Sequence, residues 1–181
     1  MERRIAIELR KASGTKLEGY AAVVNTASED LGGFTEVIRP GAFRRTLLEN
    51  KDILALFDHD TRAVLGRTSA GTVRLNEDAK GLHFEIDMPA TTLGRDLMVS
   101  VERGDIRGAS FSFKAREDRW TQGNDGKMLR ELLDVDLFEI TVTAVPAYAD
   151  TEVARRTLAR CPTMPWRADL CRRYIDSLEV V

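Results

Sequence analysis

Residues 108–145, GASFSFKAREDRWTQGNDGKMLRELLDVDLFEITVTAV, decide the fold that the sequence predicts. Stretches in which polar and apolar residues alternate favour one long strand at about 109–120 and a second at about 128–145. Between them, Asp125-Gly126 is a strong signal for the tight turn of a hairpin. We therefore expect a long β-hairpin at the centre of the molecule.

Shorter elements surround this hairpin. Strands are predicted at 5–9, 17–24, 53–57 and 82–88, and helices at about 40–50, 92–103 and 151–160, with a last one at 166–178. Many strands with few helices predict an α+β protein, a curved and mostly antiparallel β-barrel with flanking helices. We assign 1–150 to one domain and 151–181 to a C-terminal helical segment that packs on the body or on a second subunit.

Composition and charge narrow the function classes. The 181 residues are 43% hydrophobic, and 27 Lys and Arg against 29 Asp and Glu leave a net charge of −2. Nucleic acid is therefore not the default partner. No apolar run is long enough to cross a membrane, and the first residues lack a secretory signal, so we expect a protein of the cytoplasm. Cys161 and Cys171 have no nearby histidine and predict no zinc site.

The two histidines differ in their surroundings. His83 lies on the polar face of an alternating strand and is predicted to be an ordinary surface residue. His59 follows the buried strand 53–57 and precedes a turn at Thr61-Arg62. A histidine at the end of a buried strand can project from a rigid scaffold, as a general base must.

Serines and acids on the central hairpin supply the other candidates. Period two places Ser110 and Ser112 on one face of their strand, pointing away from the core that Phe111 and Phe113 enter. Either serine is a nucleophile if a base reaches it, or a small polar residue on a solvated face.

On the second strand of the hairpin, Glu139 shares a face with Thr141 and Thr143, whereas Phe138 lies on the apolar face. Asp136 falls in phase with Phe138, so a bulge near 136–137 is expected. The Glu139 carboxylate either orients an imidazole or pairs with an arginine.

His59, Ser110 and Glu139 follow one another in the order base, nucleophile, acid. Chymotrypsin-like enzymes, subtilisin-like enzymes and α/β-hydrolases all use other orders, so this order excludes those folds.

Five segments in order carry a resemblance to a known family. They are EGYA (18–21), EVIRPGAF (36–43), LFDHD (56–60) with LGR (65–67), IRGASFSF (106–113), and LFEIT (137–141) leading to VPAY (145–148). In these segments the chain resembles the prohead proteases of HK97-type tailed phages, which share the fold of the herpesvirus proteases.

The resemblance implies a serine endopeptidase without cofactor or metal. It implies that His59 is the base, Ser110 the nucleophile and Glu139 the acid, with Ser112 and Asp136 as alternatives for the last two roles. Backbone N–H groups near Gly108 or at Gly32-Gly33 are candidates for holding the oxyanion.

The implied partners are the major capsid protein with its scaffolding segment, and the chain itself through autocleavage. The implied setting is the assembling prohead in the host bacterial cytoplasm, with a homodimer as the active form. Two other hypotheses fit the same residues: a catalytically silent capsid-assembly or scaffold-binding domain on this fold, and a hydrolase of small esters.

Overall fold

The computed structural model describes residues 2–6, 9–11, 14–49, 51–123 and 126–144. The strands are β1 (Glu2–Ala6), β2 (Leu9–Lys11), β3 (Lys16–Val23), β4 (Phe34–Ile38), β5 (Leu54–Phe57), β6 (Asp60–Arg67), β7 (Val73–Glu77), β8 (Gly81–Asp87), β9 (Gly108–Gln122) and β10 (Met128–Thr143). The helices are α1 (Arg44–Leu48) and α2 (Thr92–Arg103). The predicted α+β composition, mostly strand, is confirmed.

The long hairpin predicted from the sequence is the centre of the larger sheet. Strands β9 and β10 pair antiparallel from Met128 opposite Gln122 to Thr143 opposite Gly108. The register shifts between Leu132 and Val135 and again between Leu137 and Glu139. The last shift lies within one or two residues of the bulge that the sequence predicts.

The other edge of β10 is shared by two strands. Strand β4 pairs in parallel with its first part, Met128–Leu132, and β5 pairs in parallel with its last part, Glu139–Val142. Strand β1 then extends the sheet beyond β9, and β6 extends it beyond β5. One long strand thus brings residues from distant parts of the chain into a single sheet.

The predicted barrel is wrong. The strands form an open six-stranded sheet in the order β1-β9-β10-β5-β6, with β4 also on β10, and a separate four-stranded sheet, β2-β3-β8-β7. Among the described residues no pairing joins the edge strands. The physical reason lies in β10: its bulges let two short parallel strands occupy the two halves of one edge, so the sheet branches there instead of closing.

One hydrophobic core lies between the two sheets. Leu17, Phe84 and Ile86 of the smaller sheet belong to the same buried cluster as Phe111 and Ile140 of the larger one. The alternation predicted for 82–88 is confirmed, because its apolar residues are buried and its polar ones are half-buried. Burial of both sheet faces against each other is the main stabilising contribution to this arrangement.

Helix α2 begins and ends where local chemistry predicts, whereas the helix predicted at about 40–50 is confined to Arg44–Leu48. The Thr91 hydroxyl accepts the N–H of Gly94 at the start of α2, and Gly104 ends the helix in the left-handed conformation at φ 79°. No helix in the described part of the chain is both long and apolar enough to cross a membrane. The predicted domain boundary at 150, the C-terminal helices and the two cysteines lie outside the described residues.

Candidate active site

His59 lies in a two-residue turn between β5 and β6. Phe57 pairs with Asp60, and the two residues between them, Asp58 and His59, both have positive φ, 49° and 57°. Such turns favour Asn-Gly, because residues with a β-carbon rarely adopt this conformation. The turn predicted at Thr61-Arg62 is therefore wrong, since both residues belong to β6. Backbone strain of this kind tends to occur at functional sites.

Strand β10 holds this turn through main-chain and side-chain contacts. The N–H of His59 donates to Oγ1 of Thr141 at 3.0 Å, and the Thr141 hydroxyl donates to the carbonyl oxygen of Leu56 at 3.0 Å. The N–H of Asp58 donates to the carbonyl oxygen of Val142 at 3.0 Å. Thr141 was not among the residues predicted for the site, although it shares a strand face with Glu139 in the sequence pattern.

The imidazole of His59 contacts both other candidates with opposite nitrogens. Its Nδ1 lies 2.5 Å from Oε1 of Glu139, and its Nε2 lies 3.2 Å from Oγ of Ser110. With the ring proton on Nδ1, the imidazole donates to the carboxylate and accepts the hydroxyl proton of Ser110. The structure therefore brings together all three residues singled out from the sequence.

The strand register explains why these side chains meet. Ser110 lies directly opposite Thr141 and Ser112 directly opposite Glu139 across the β9–β10 ladder. Residues opposite each other in a sheet share a face. Because β5 pairs with β10 on its other edge, the turn after β5 carries His59 over that same face.

Two sequence-based expectations about exposure are wrong. Ser110 and Ser112 are completely buried, so the alternative in which they are small polar residues on a solvated face is wrong. Their face contacts His59 and Glu139, which accounts for part of this burial. Phe138, expected on the apolar face, is 41% exposed because the register shift between Leu137 and Glu139 turns it outward.

The environment of Glu139 keeps it ionised. Burial favours the neutral carboxyl, but hydrogen bonds from His59 and Ser112 outweigh burial, and the pKa of Glu139 lies below its ordinary value. An ionised carboxylate against Nδ1 favours the tautomer in which Nε2 is free to accept a proton.

Asp136, the alternative acid, lies in a different environment. Its buried carboxylate contacts Arg45 at 2.9 Å, Lys51 at 3.1 Å and also Arg116. Burial opposes ionisation, yet these three cations lower the pKa of Asp136 to about 2. The structure thus places Asp136 in a cluster of basic residues and Glu139 at His59.

Other residues named from the sequence lie apart from this site. His83 belongs to the smaller sheet, where its ring packs edge-on against Tyr20. The N–H groups of Gly32 and Gly33 both donate to Oδ1 of Asp30, so these donors are already used and do not form an oxyanion hole in this structure. Within the described residues, no three His, Cys, Asp or Glu side chains are grouped as metal ligands would be.

A hydroxyl, an imidazole and a carboxylate in this order of contacts form the arrangement found in serine hydrolases. Residues 4–163 match the family model described as the caudovirus prohead serine protease, and the chain belongs to that family. The family resemblance predicted from the sequence is confirmed.

Two individual proteins are similar to this chain. The prohead protease of Enterobacteria phage HK97 is 29% identical over 140 residues, which cover 76% of this chain and 58% of that protein. This chain therefore spans somewhat more than half the length of that relative. The capsid assembly protease of bacteriophage T4 superposes with a TM-score of 0.47 at 10% identity, covering 79% of this chain and 99% of the T4 chain.

Proposed function

We propose that this chain is a serine endopeptidase that matures phage proheads. In this proposal His59 is the general base, Ser110 the nucleophile and Glu139 the acid that orients the base. The substrates are the scaffolding segment of the major capsid protein and the chain itself. The reaction takes place inside the assembling prohead in the host bacterial cytoplasm, and the active form is a homodimer.

One observation carries the assignment of roles. His59 contacts Ser110 through Nε2 and Glu139 through Nδ1, at 3.2 and 2.5 Å. A hydrogen-bonded general base must reach the nucleophile within about 2.6–3.2 Å, and a third group must fix its orientation. Core packing alone would not require a half-buried histidine to bridge a buried serine and a buried carboxylate.

The first half of the reaction forms an acyl-enzyme. Oγ of Ser110 attacks the carbonyl carbon of the scissile peptide bond, and its proton moves to Nε2 of His59. Glu139 stabilises the resulting imidazolium, whose Nδ1–H remains bonded to the carboxylate. The C–N bond then breaks, and His59 returns the proton from Nε2 to the leaving amine.

The second half repeats this chemistry with water. His59 takes a proton from water as its oxygen attacks the acyl carbon, and the ester bond to Ser110 breaks with that proton restored to Oγ. Backbone N–H groups must hold the oxyanion in both halves, and typically each such donor contributes roughly 10²–10³ in rate. Gly108 begins β9 two residues before Ser110. The backbone N–H groups near Gly108 are therefore the first candidates for these oxyanion donors.

Co-expression with the major capsid protein of the same phage tests the proposal. Wild type, Ser110→Ala and Ser100→Ala would be compared by the intact mass of the capsid protein in purified shells. Ser100 lies on α2, where its hydroxyl bonds within the helix, so its variant controls for loss of a serine hydroxyl elsewhere. Loss of a triad nucleophile typically costs on the order of 10⁶ in kcat, so processing should vanish.

The outcomes separate the candidate functions. Trimming by wild type and Ser100→Ala but not by Ser110→Ala supports the proposal. Trimming by all three variants contradicts Ser110 as nucleophile. Full-length capsid protein in assembled shells that contain wild-type protein contradicts the protease and favours the silent assembly domain. Turnover of small esters without capsid cleavage would favour the esterase.

A further inference from the structure

A second serine hydroxyl contacts the proposed acid. Oγ of Ser112 donates to Oε1 of Glu139 at 2.7 Å, and this same oxygen contacts Nδ1 of His59 at 2.5 Å. Ser112 is completely buried and Glu139 is 6% exposed. Two donors, one on β9 and one in the turn between β5 and β6, therefore converge on one carboxylate oxygen.

The direction of this hydrogen bond separates the roles of the two serines. The Ser112 hydroxyl donates to the Glu139 carboxylate, whereas the Ser110 hydroxyl contacts Nε2 of His59. An ionised carboxylate is only an acceptor, so Ser112 must be the donor of their bond. Among the described residues, the hydroxyl of Ser112 is hydrogen-bonded to Glu139 and not to the imidazole of His59, so it has no direct route for passing its proton to the base.

Glu139 needs an external restraint because of its place in the strand. It is the first residue after the register shift that turns Phe138 outward, and its side chain has several rotatable bonds. Ser112 lies directly opposite it across the ladder, on a strand that carries Ser110 two residues away. A hydroxyl fixed on β9 can hold the carboxylate in the plane that the imidazole requires.

We propose that Ser112 is a positioning residue, which fixes the Glu139 carboxylate against Nδ1 of His59. This inference rests on the proposed function. Without the Ser112 hydroxyl, Glu139 keeps one fixed donor and can rotate away from His59, so the base is less often aligned with Ser110. The loss should fall on the chemical step and leave the binding of a substrate or inhibitor unchanged.

A serine-reactive fluorophosphonate tests the inference, because it reports on the nucleophile without a known peptide substrate. Its saturating rate of labelling, kinact, and its half-saturation concentration, KI, would be measured for wild type, Ser112→Ala and Ser112→Thr. Ser100→Ala is again the control. We expect Ser112→Ala to lower kinact about tenfold with KI unchanged. The loss of a hydrogen bond to a charged group typically lowers a rate or an affinity by at least about this factor. Ser112→Thr, which keeps the hydroxyl, should restore most of the rate.

A double-mutant cycle distinguishes positioning from a general structural effect. In a Glu139→Ala background the carboxylate is absent, so Ser112→Ala should change kinact less than about twofold. A tenfold loss in both backgrounds would overturn the inference, as would wild-type labelling by Ser112→Ala. Complete loss of labelling by folded Ser112→Ala, with Ser110→Ala still labelled, would make Ser112 the nucleophile and also overturn it.

Failure of the probe to label wild type would count against the proposed function. A second measurement tests the contact between Ser112 and Glu139 even in that case. The side-chain carboxyl of Glu139, followed by ¹³C NMR against pH, should titrate at a higher pH in Ser112→Ala than in wild type. The reason is that the lost hydrogen bond had favoured the charged form. An unchanged titration would overturn the inference independently of activity.

Discussion

Oγ1 of Thr141 accepts the backbone N–H of His59 at 3.0 Å, so β10 holds the main chain of the very residue whose ring it also holds through Glu139. The turn that carries His59 has two consecutive positive φ angles in residues other than glycine. Such a turn persists only where its surroundings fix it. Thr141, 1% exposed, is the side chain that does so, because its hydroxyl also bonds Leu56 before the turn.

We therefore expect Thr141→Val to weaken both folding and labelling by a fluorophosphonate. Valine has the same shape but can neither accept the N–H of His59 nor donate to the carbonyl of Leu56, at a cost of about 1–3 kcal/mol. Thr141→Ser, which keeps the hydroxyl, is the matched control and should lie close to wild type. The free energy of unfolding from urea titration, measured beside kinact, checks this. A Thr141→Val protein as stable as Thr141→Ser would contradict the role of the Thr141 hydroxyl in holding the His59 turn.

Replacing each acid by its amide should separate the two candidate acids. Glu139→Gln cannot stabilise the His59 cation and favours the wrong tautomer, so labelling should slow by about 10⁴. Asp136→Asn, whose carboxylate contacts Arg45 and Lys51, should label within a few-fold of wild type. Both rates can be measured with the same probe at neutral pH. The reverse ranking would make Asp136 the acid.

Asp136 should instead govern stability in acid. Its pKa is about 2 in the folded protein and 3.8 as a free side chain. Because the folded value is the lower one, its contribution is fully present above about pH 5 and is lost as the pH falls through 4 toward 2. Full conversion of the shift would give about 2 kcal/mol, but Lys51 and Arg116 are about half exposed, which reduces the expected contribution to about 1 kcal/mol.

The test compares wild type with Asp136→Asn in urea titrations from pH 7 to pH 2. The difference in the free energy of unfolding should be largest at neutral pH and should shrink below pH 4. Asp60→Asn is the matched control, because that carboxylate contacts Arg62 in an exposed pair. A difference that stays constant down to pH 2 would show that the Asp136 carboxylate contributes nothing through its charge.

Much of the fold and the site could be predicted because local patterns decide them. Alternation predicts β8, the turn signal predicts the β9–β10 hairpin, and threonine and glycine mark the two ends of α2. The three residues of the site were each visible in the sequence, Ser110 and Glu139 as polar groups within predicted strands and His59 as a polar group just after one. What brings them together is the pairing of β9 with one edge of β10 and of β5 with the other edge.

The failures have a common physical cause, which is long-range pairing. No local pattern indicates that β4 and β5 share one edge of β10, and this branching is what prevents a closed barrel. Likewise, period two cannot say that the face of Ser110 is covered, because the covering group, His59, arrives from 51 residues away. The role of Ser112 was ambiguous for the same reason, since only its partner Glu139 distinguishes it from Ser110.

A glycine pair in and after α2 provides the last prediction, on how the chain packs. A β-carbon on Gly94 would lie 2.1 Å from the carbonyl oxygen of Pro89, whereas one on Gly104 would meet nothing within 4 Å. Alanine normally stabilises a helix interior by about 1 kcal/mol relative to glycine. At Gly94 the clash with rigid backbone should reverse that sign and cost on the order of 2–3 kcal/mol. Gly104→Ala should cost about 1 kcal/mol, from the left-handed φ of 79° alone. Thermal and urea unfolding of both variants would test this order, and a Gly94→Ala protein more stable than wild type would contradict the close approach of α2 to Pro89.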